Sequence, residues 1–161
     1  MWLVRWETGQ IVLYWRLFYH IAWGTKGRAP LIRGGFAAAL HEQIASNAAR
    51  LGAMVDAVGG VEDHVHLVVS MPPSIALSEF VRQLKGSSSH HVNHELAPSV
   101  VFAWQAGYGV ISLDSKQLDR AVQYVKAQSD HHAQQSTIPV LERLGEEAPA
   151  GKTRVPPQLI L

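Results

Sequence analysis

The sequence predicts an α+β fold: a split βαβ arrangement of four strands and two helices around one antiparallel sheet, with an added C-terminal helix. Three observations predict it. Four short stretches have the alternation or the β-branched and aromatic richness of strands, and three longer ones repeat apolar residues at three- and four-residue steps. The two kinds interleave as strand, helix, strand, strand, helix, strand, helix. At 161 residues, 47% of them apolar, the chain has a one-domain length and enough apolar side chains for one core.

Leu17 to Trp23, LFYHIAW, is aromatic and β-branched and reads as the first strand. Thr25 to Pro30 is a loop punctuated by Gly27 and Pro30. Between Arg33 and Leu51, Phe36, Leu40, Ile44, Ala48 and Leu51 line one face of an amphipathic helix, and Gly52 suits its end. Met54 to Val58 is a short strand that turns at Gly59-Gly60, and His64 to Met71 is the next strand, stopped by Pro72-Pro73. Ser74 is a candidate N-cap for a helix with Leu77, Phe80, Val81 and Leu84 on one face, weakened in its middle by Gly86. Val100 to Leu113 is a strand or a bent pair of strands, with Gly107 and Gly109 inside it. Asp114 and Gln117 form a capping box for a last helix running from about Ser115 to Gln135. The ferredoxin-like pattern accounts for the first six elements. Residues 1–16 form an N-terminal extension, either a hairpin turning at Thr8-Gly9 or a segment without fixed structure. Residues 141–161, rich in Pro and Gly, read as a tail.

Composition excludes several classes. With no cysteine there is no disulfide framework, thiolate zinc site or cysteine nucleophile, and a reducing cytoplasm is the expected compartment. No apolar run approaches a membrane span, and the first ten residues lack the pattern of a signal peptide. A net charge of +1 is too mild to argue for nucleic acid by itself. The nine histidines are more telling, because most cluster: His64/His66, His90/His91/His94 and His131/His132.

His64-Val65-His66 is the most informative stretch. Strand alternation sets His64, His66 and Val68 on one face and Val65, Leu67 and Val69 on the other, buried one. Two imidazoles thus stand side by side on a rigid element, at a spacing where both can reach one ion. Taken alone, the pair also fits two solvated histidines or half of a zinc site. Asp63 offers little to it, pointing to the other face or lying in the turn. In the last helix, Leu118, Ala121, Val122 and Val125 make an apolar stripe. Tyr124 and Gln128, four apart, form a ridge beside that stripe, and His131 continues the line. On spacing alone Tyr124 reads as a boundary aromatic with its hydroxyl in water.

Five blocks in order carry a resemblance: HIAWGTKGRAPL, EDHVHLVVSMP, FVRQLKGSSSHHVN, FAWQAGYGVISLD and AVQYVKAQSDHH. They resemble the HUH single-tyrosine transposases of small bacterial insertion sequences, kin to the REP-associated tyrosine transposases. HUH stands for His, a hydrophobic residue, His. The resemblance covers roughly residues 17–140, which would form the transposase domain. It implies that His64, His66 and Gln128 bind one divalent ion, magnesium or manganese, and that Tyr124 is the nucleophile. Tyr124 would attack a phosphate of single-stranded DNA, become linked to its 5′ side and free a 3′ hydroxyl. It further implies hairpins recognised near the element's ends, and a homodimer in which the tyrosine helix can complete the partner's site.

Lys26 and Arg28 in the first loop, and Arg82 and Lys85 on the second helix, are candidate phosphate contacts, with Trp104 and Tyr108 candidate stacking residues. Each also has a plain alternative, solvated charge or core aromatic. Ala127 stands where the family often has asparagine, Val61-Glu62 replaces a more usual Met-Pro, and the first fifteen residues lie outside the pattern. The competing readings are a domesticated or inactive DNA-binding relative, a relaxase or replication-initiator nickase with the same motif, and a histidine-dependent zinc hydrolase. Nothing in the sequence indicates what deprotonates Tyr124.

Overall fold

The computed structural model describes residues 14–33 and 35–145. The expected N-terminal extension falls almost wholly outside the described residues, as does the end of the expected tail. Strand β1 (Phe18–Gly24) leads through a 3-10 turn to helix α1 (Phe36–Arg50). Strands β2 (Met54–Val61) and β3 (His64–Ser70) form a hairpin. Helix α2 (Leu77–His91) and a π turn at Val92–Leu96 lead to β4 (Gly109–Leu113), α3 (Ser115–Lys126) and α4 (Gln128–Ala133). The sheet order is β2-β3-β1-β4, antiparallel throughout, which is the expected split βαβ topology.

The two faces of the sheet bury different things. Ile21, Trp23, Val65, Leu67 and Val69 pack with Leu40, Ile44, Phe80 and Leu84 from α1 and α2 in the main core. On the opposite face, Ala57 and Val68 meet Ala121 and Val125 of α3 in a smaller cluster. The histidine face is therefore roofed by α3 and α4 and is not open to water. A bulge in β2, between Val55 and Ala57, makes this possible. One extra residue flips the alternation, so that Val55 packs with the main core while Ala57 and Gly59 face α3.

Several boundaries differ from the sequence expectation. Gly59-Gly60 does not turn the chain: β2 runs on to Val61 and the turn is Glu62-Asp63. A Cβ at Gly59 would lie 2.4 Å from the Val125 carbonyl oxygen, so this glycine serves the close approach of α3. The N-cap of α2 is Ala76, not Ser74, with no side-chain cap, and α2 continues through Gly86. Only Gly109–Leu113 of the 100–113 stretch is a strand; before it Trp104 makes one isolated bridge to Thr25 and packs edge-on against Trp23. The Asp114–Gln117 capping box forms as its spacing predicts.

The last helix breaks at Ala127, whose φ of −103° and ψ of 20° leave the helical region, and α4 ends at Ala133. Beyond it, residues 141–145 stay on the domain. Leu141 and Leu144 are buried, and the Gln105 amide donates to the carbonyls of Leu144 and Gly145 at 2.9 and 3.1 Å. A Cβ at Gly109 would sit 1.6 Å from the Arg143 carbonyl oxygen, so β4 admits this strap only because residue 109 is glycine. The segment expected as a tail from residue 141 thus packs on the domain as far as Gly145. Among the described residues no helix is long and apolar enough to cross a membrane.

Candidate active site and metal centre

His64 and His66 are both fully buried, their ring centroids 4.8 Å apart and the rings nearly perpendicular. Each has its Nδ1 held from behind. The His64 Nδ1 lies 2.6 Å from Asp63 Oδ1, and Arg28 Nε donates to Asp63 Oδ2 at 2.8 Å. Asp63 sits in the turn, yet its carboxylate folds back onto His64, so its expected irrelevance is corrected. The His66 Nδ1 is 2.9 Å from His20 Nε2, a contact made because β1 and β3 pair with His20 opposite Val68. Holding the rear nitrogen orients the ring and aims Nε2 forward.

Both Nε2 atoms aim at one carboxylate. Glu142, on the strap, has Oε2 3.3 Å from His64 Nε2 and Oε1 3.5 Å from His66 Nε2. The Tyr124 hydroxyl donates to Glu142 Oε1, and Gln128 Nε2 donates to the same oxygen at 3.0 Å. His132 Nε2 lies 3.4 Å from Oε2. The Tyr124 oxygen also accepts from the Ile138 backbone N–H at 3.0 Å, and the His131 ring stacks on the phenol at 4.7 Å. Tyr124 and Gln128 are each only 2% exposed, so the expected ridge beside the apolar stripe is a buried one. One chain thus brings His64, His66, Tyr124 and Gln128 around one point, although α3 and α4 are separate helices.

The donor set suits a cation. The ligand atoms of His64, His66 and Glu142 lie within 4.8 Å of one another, and this His-His-Glu cluster can hold a metal ion. The Nε2 atoms of His64, His66 and His132 and the Oε1 of Gln128 are all buried without an aligned hydrogen-bond partner. Orphaned polar atoms converging on a carboxylate are what a divalent ion satisfies.

The electrostatics fit the same picture. Burial pushes the Glu142 carboxyl up, but the imidazoles of His64 and His66, the Tyr124 hydroxyl and the Gln128 amide outweigh it and hold it far below the usual carboxylate range. Burial, then the hydrogen bond to Glu142, pushes the Tyr124 phenol up to about 12, so it is protonated in this arrangement. Burial lowers His20 to about 3 and also lowers His66, so both are neutral at pH 7. Asp63 is raised by burial but lowered more by His64 and Arg28, and stays ionised.

The four cationic candidates divide. Lys26 is exposed on the 3-10 turn. Arg28 is committed to Asp63, beside the His64–His66 pair. Arg82 pairs with Glu79 on the surface of α2. Lys85 Nζ donates to the carbonyls of Gln105, Ala106 and Gly107 at 2.6 to 3.0 Å and so supports the loop before β4. Arg82 and Lys85 nevertheless line, with Trp104 and Tyr108, a groove of about 410 Å³ between α2 and that loop. Sequence reasoning missed Glu142 and His20, and marked His132 only as half of a histidine cluster. Alternation on β1 carries a signal for His20 once the β1–β3 register is known; nothing local marks Glu142.

Comparison with known proteins agrees with this fold. The ISDra2 transposase TnpA of Deinococcus radiodurans is 27% identical over 121 residues, spanning 72% of this chain and 86% of that protein. A crystal structure described as a transposase of Deinococcus radiodurans R1 superposes with a TM-score of 0.60 at 25% identity, covering 76% of this chain and 98% of that one. A REP-associated tyrosine transposase, solved bound to a REP hairpin, superposes with a TM-score of 0.57, covering 92% of this chain and 98% of that one; at 12% identity this is a likeness of fold. Residues 13–128 match the family described as IS200-like transposase, and the chain belongs to that family.

Proposed function

We propose that this transposase cleaves and rejoins single-stranded DNA through a 5′-phosphotyrosine at Tyr124, with His64, His66 and Gln128 holding a magnesium or manganese ion. The observation that carries the reading is the meeting of the Tyr124 hydroxyl with the aimed Nε2 atoms of His64 and His66 at one carboxylate. The phenol oxygen attacks phosphorus, the bond to the 3′ oxygen breaks, and the proton lost by the phenol is balanced by the one the 3′ hydroxyl carries away. A second 3′ hydroxyl reverses the step, because the covalent intermediate retains the energy of the cleaved bond. A bound divalent ion polarises the phosphate and stabilises transition-state charge. Within the chain, Asp63 and His20 keep the two imidazoles aimed, while Ile138 N–H and the His131 ring position the phenol.

The DNA partner is read as a single strand with hairpin ends. Lys26 and the groove lined by Arg82, Lys85, Trp104 and Tyr108 are its candidate contacts, joining positive charge to aromatic faces. A homodimer belongs to the same reading, and light scattering checks it. Incubation with hairpin-containing single-stranded DNA and manganese should give a covalent adduct on a denaturing gel. Tyr124→Phe should abolish the adduct without loss of fold, and an adduct from that variant would refute the nucleophile assignment.

A further inference from the structure

We infer that Glu142 is a ligand of the metal ion, so that the C-terminal strap completes a site otherwise built from β3 and the helices above it. The inference rests on the metal reading just given and deepens it. Glu142 lies beyond residues 13–128, the part of the chain matched by the family.

Three observations carry it. The first is geometric. His64 Nε2 stands 3.3 Å from one oxygen of the Glu142 carboxylate and His66 Nε2 3.5 Å from the other. Neither contact is an aligned hydrogen bond, and both nitrogens are buried. Two imidazole nitrogens and a carboxylate oxygen that lie within 4.8 Å of one another form a set that one cation can bridge.

The second observation is how the carboxylate is held. The strap is anchored without reference to the site: Leu141 and Leu144 are buried, Gln105 clamps two of its carbonyls, and Gly109 clears room for Arg143. Glu142 is therefore presented at a set position, as a ligand must be. The third is donor type. Glu142 adds a hard, charged oxygen to two imidazoles and the Gln128 amide, which suits magnesium or manganese. Because Oε1 also accepts from Tyr124, the strap ties the nucleophile to the ion.

The test measures metal and strap, not turnover. Manganese binding is followed by calorimetry on the wild type, Glu142→Gln, Glu142→Asp and His64→Ala, with thermal melts to check folding. Trypsin cleavage after the exposed Arg143 reports the strap directly. Loss of this ligand should weaken manganese at least about tenfold in Glu142→Gln, with Glu142→Asp retaining part of the affinity. Manganese should slow cleavage after Arg143 in the wild type and leave it unchanged in Glu142→Gln. Unchanged or tighter manganese binding by Glu142→Gln, or manganese accelerating cleavage after Arg143 in the wild type, would overturn the inference: the carboxylate would then be a plug that the ion expels. If His64→Ala loses manganese while Glu142→Gln keeps it, Glu142 alone is misassigned. Absence of binding by the wild type would overturn the metal reading and this inference together.

Discussion

Replacing Gly59 by alanine tests how Tyr124 is positioned. Gly59 pairs with His66 across the hairpin, directly beneath α3. A Cβ there would lie 2.4 Å from the Val125 carbonyl oxygen, whereas ordinary contact begins near 3.4 Å. The obstacle is backbone, so α3 must rise by about 1 Å, the difference between those distances, and Tyr124 rises with it. Overpacking of this kind costs about 1–3 kcal/mol, and each kcal/mol lowers the melting temperature by roughly 2–4 °C in a domain of this size. A misplacement of about 1 Å at a reacting group costs on the order of 100-fold in rate. Gly86→Ala is the internal control. It lies inside α2 with open space at the added Cβ, so the same substitution should stabilise by about 0.5–1 kcal/mol and leave the height of α3 unchanged; because Gly86 lines the α2 groove, the control is read in the melt. The assays are a calorimetric melt and the single-turnover rate of adduct formation. Wild-type rate and melting temperature in Gly59→Ala would refute the claim that this glycine sets the height of the tyrosine helix.

Three further outcomes are expected. Asp114→Ala removes the acceptor for the N–H groups of Lys116 and Gln117 and should cost about 1 kcal/mol, read by urea denaturation. His20 has its pKa lowered from 6.5 to about 3, so its contribution to stability is fully present above pH 6.5 and is lost as pH falls toward 3. Metal-free protein should therefore lose up to about 1.4 kcal/mol per pH unit below 6.5 from this residue, and His20→Asn should flatten that slope in pH-dependent melts. Lys85→Met should lower stability by about 1 kcal/mol, because three loop carbonyls lose their donor; a lysine that served only DNA would change the salt dependence of binding and leave the melt untouched.

The β-strands and the first two helices were legible because their patterns are local. Alternation along His64 to Val69 separates histidines from core residues correctly, and the Asp114–Gln117 spacing marks the start of α3. The two glycines after Val58 read as a turn from sequence, but their reason is tertiary: Gly59 clears a path for the Val125 carbonyl. Neither glycine nor proline marks the break at Ala127, so the last helix looks continuous on periodicity alone. At the site, residues on one element were readable and their meeting was not. His64 and His66 follow from strand alternation, and Tyr124 with Gln128 from helical spacing. Joining the pairs required the resemblance to a family. Glu142 reaches them through a strap held by Gln105 and Gly109, contacts of long sequence separation that leave no local pattern. Asp63 was read as a turn residue, which it is; that its carboxylate returns to His64 depends on Arg28 from another loop.

The claim that Tyr124 carries the DNA is tested most directly by mapping the adduct. Trypsin cuts after Arg120 and Lys126 and releases the peptide AVQYVK, in which Tyr124 is the sole hydroxyl-bearing side chain among the chain's four tyrosines. After reaction with hairpin-containing single-stranded DNA and manganese, nuclease trimming and mass spectrometry, that peptide should carry a nucleotide 5′-phosphate. A nucleotide on any other peptide, or cleaved DNA bearing a free 5′ phosphate with AVQYVK unmodified, would contradict it.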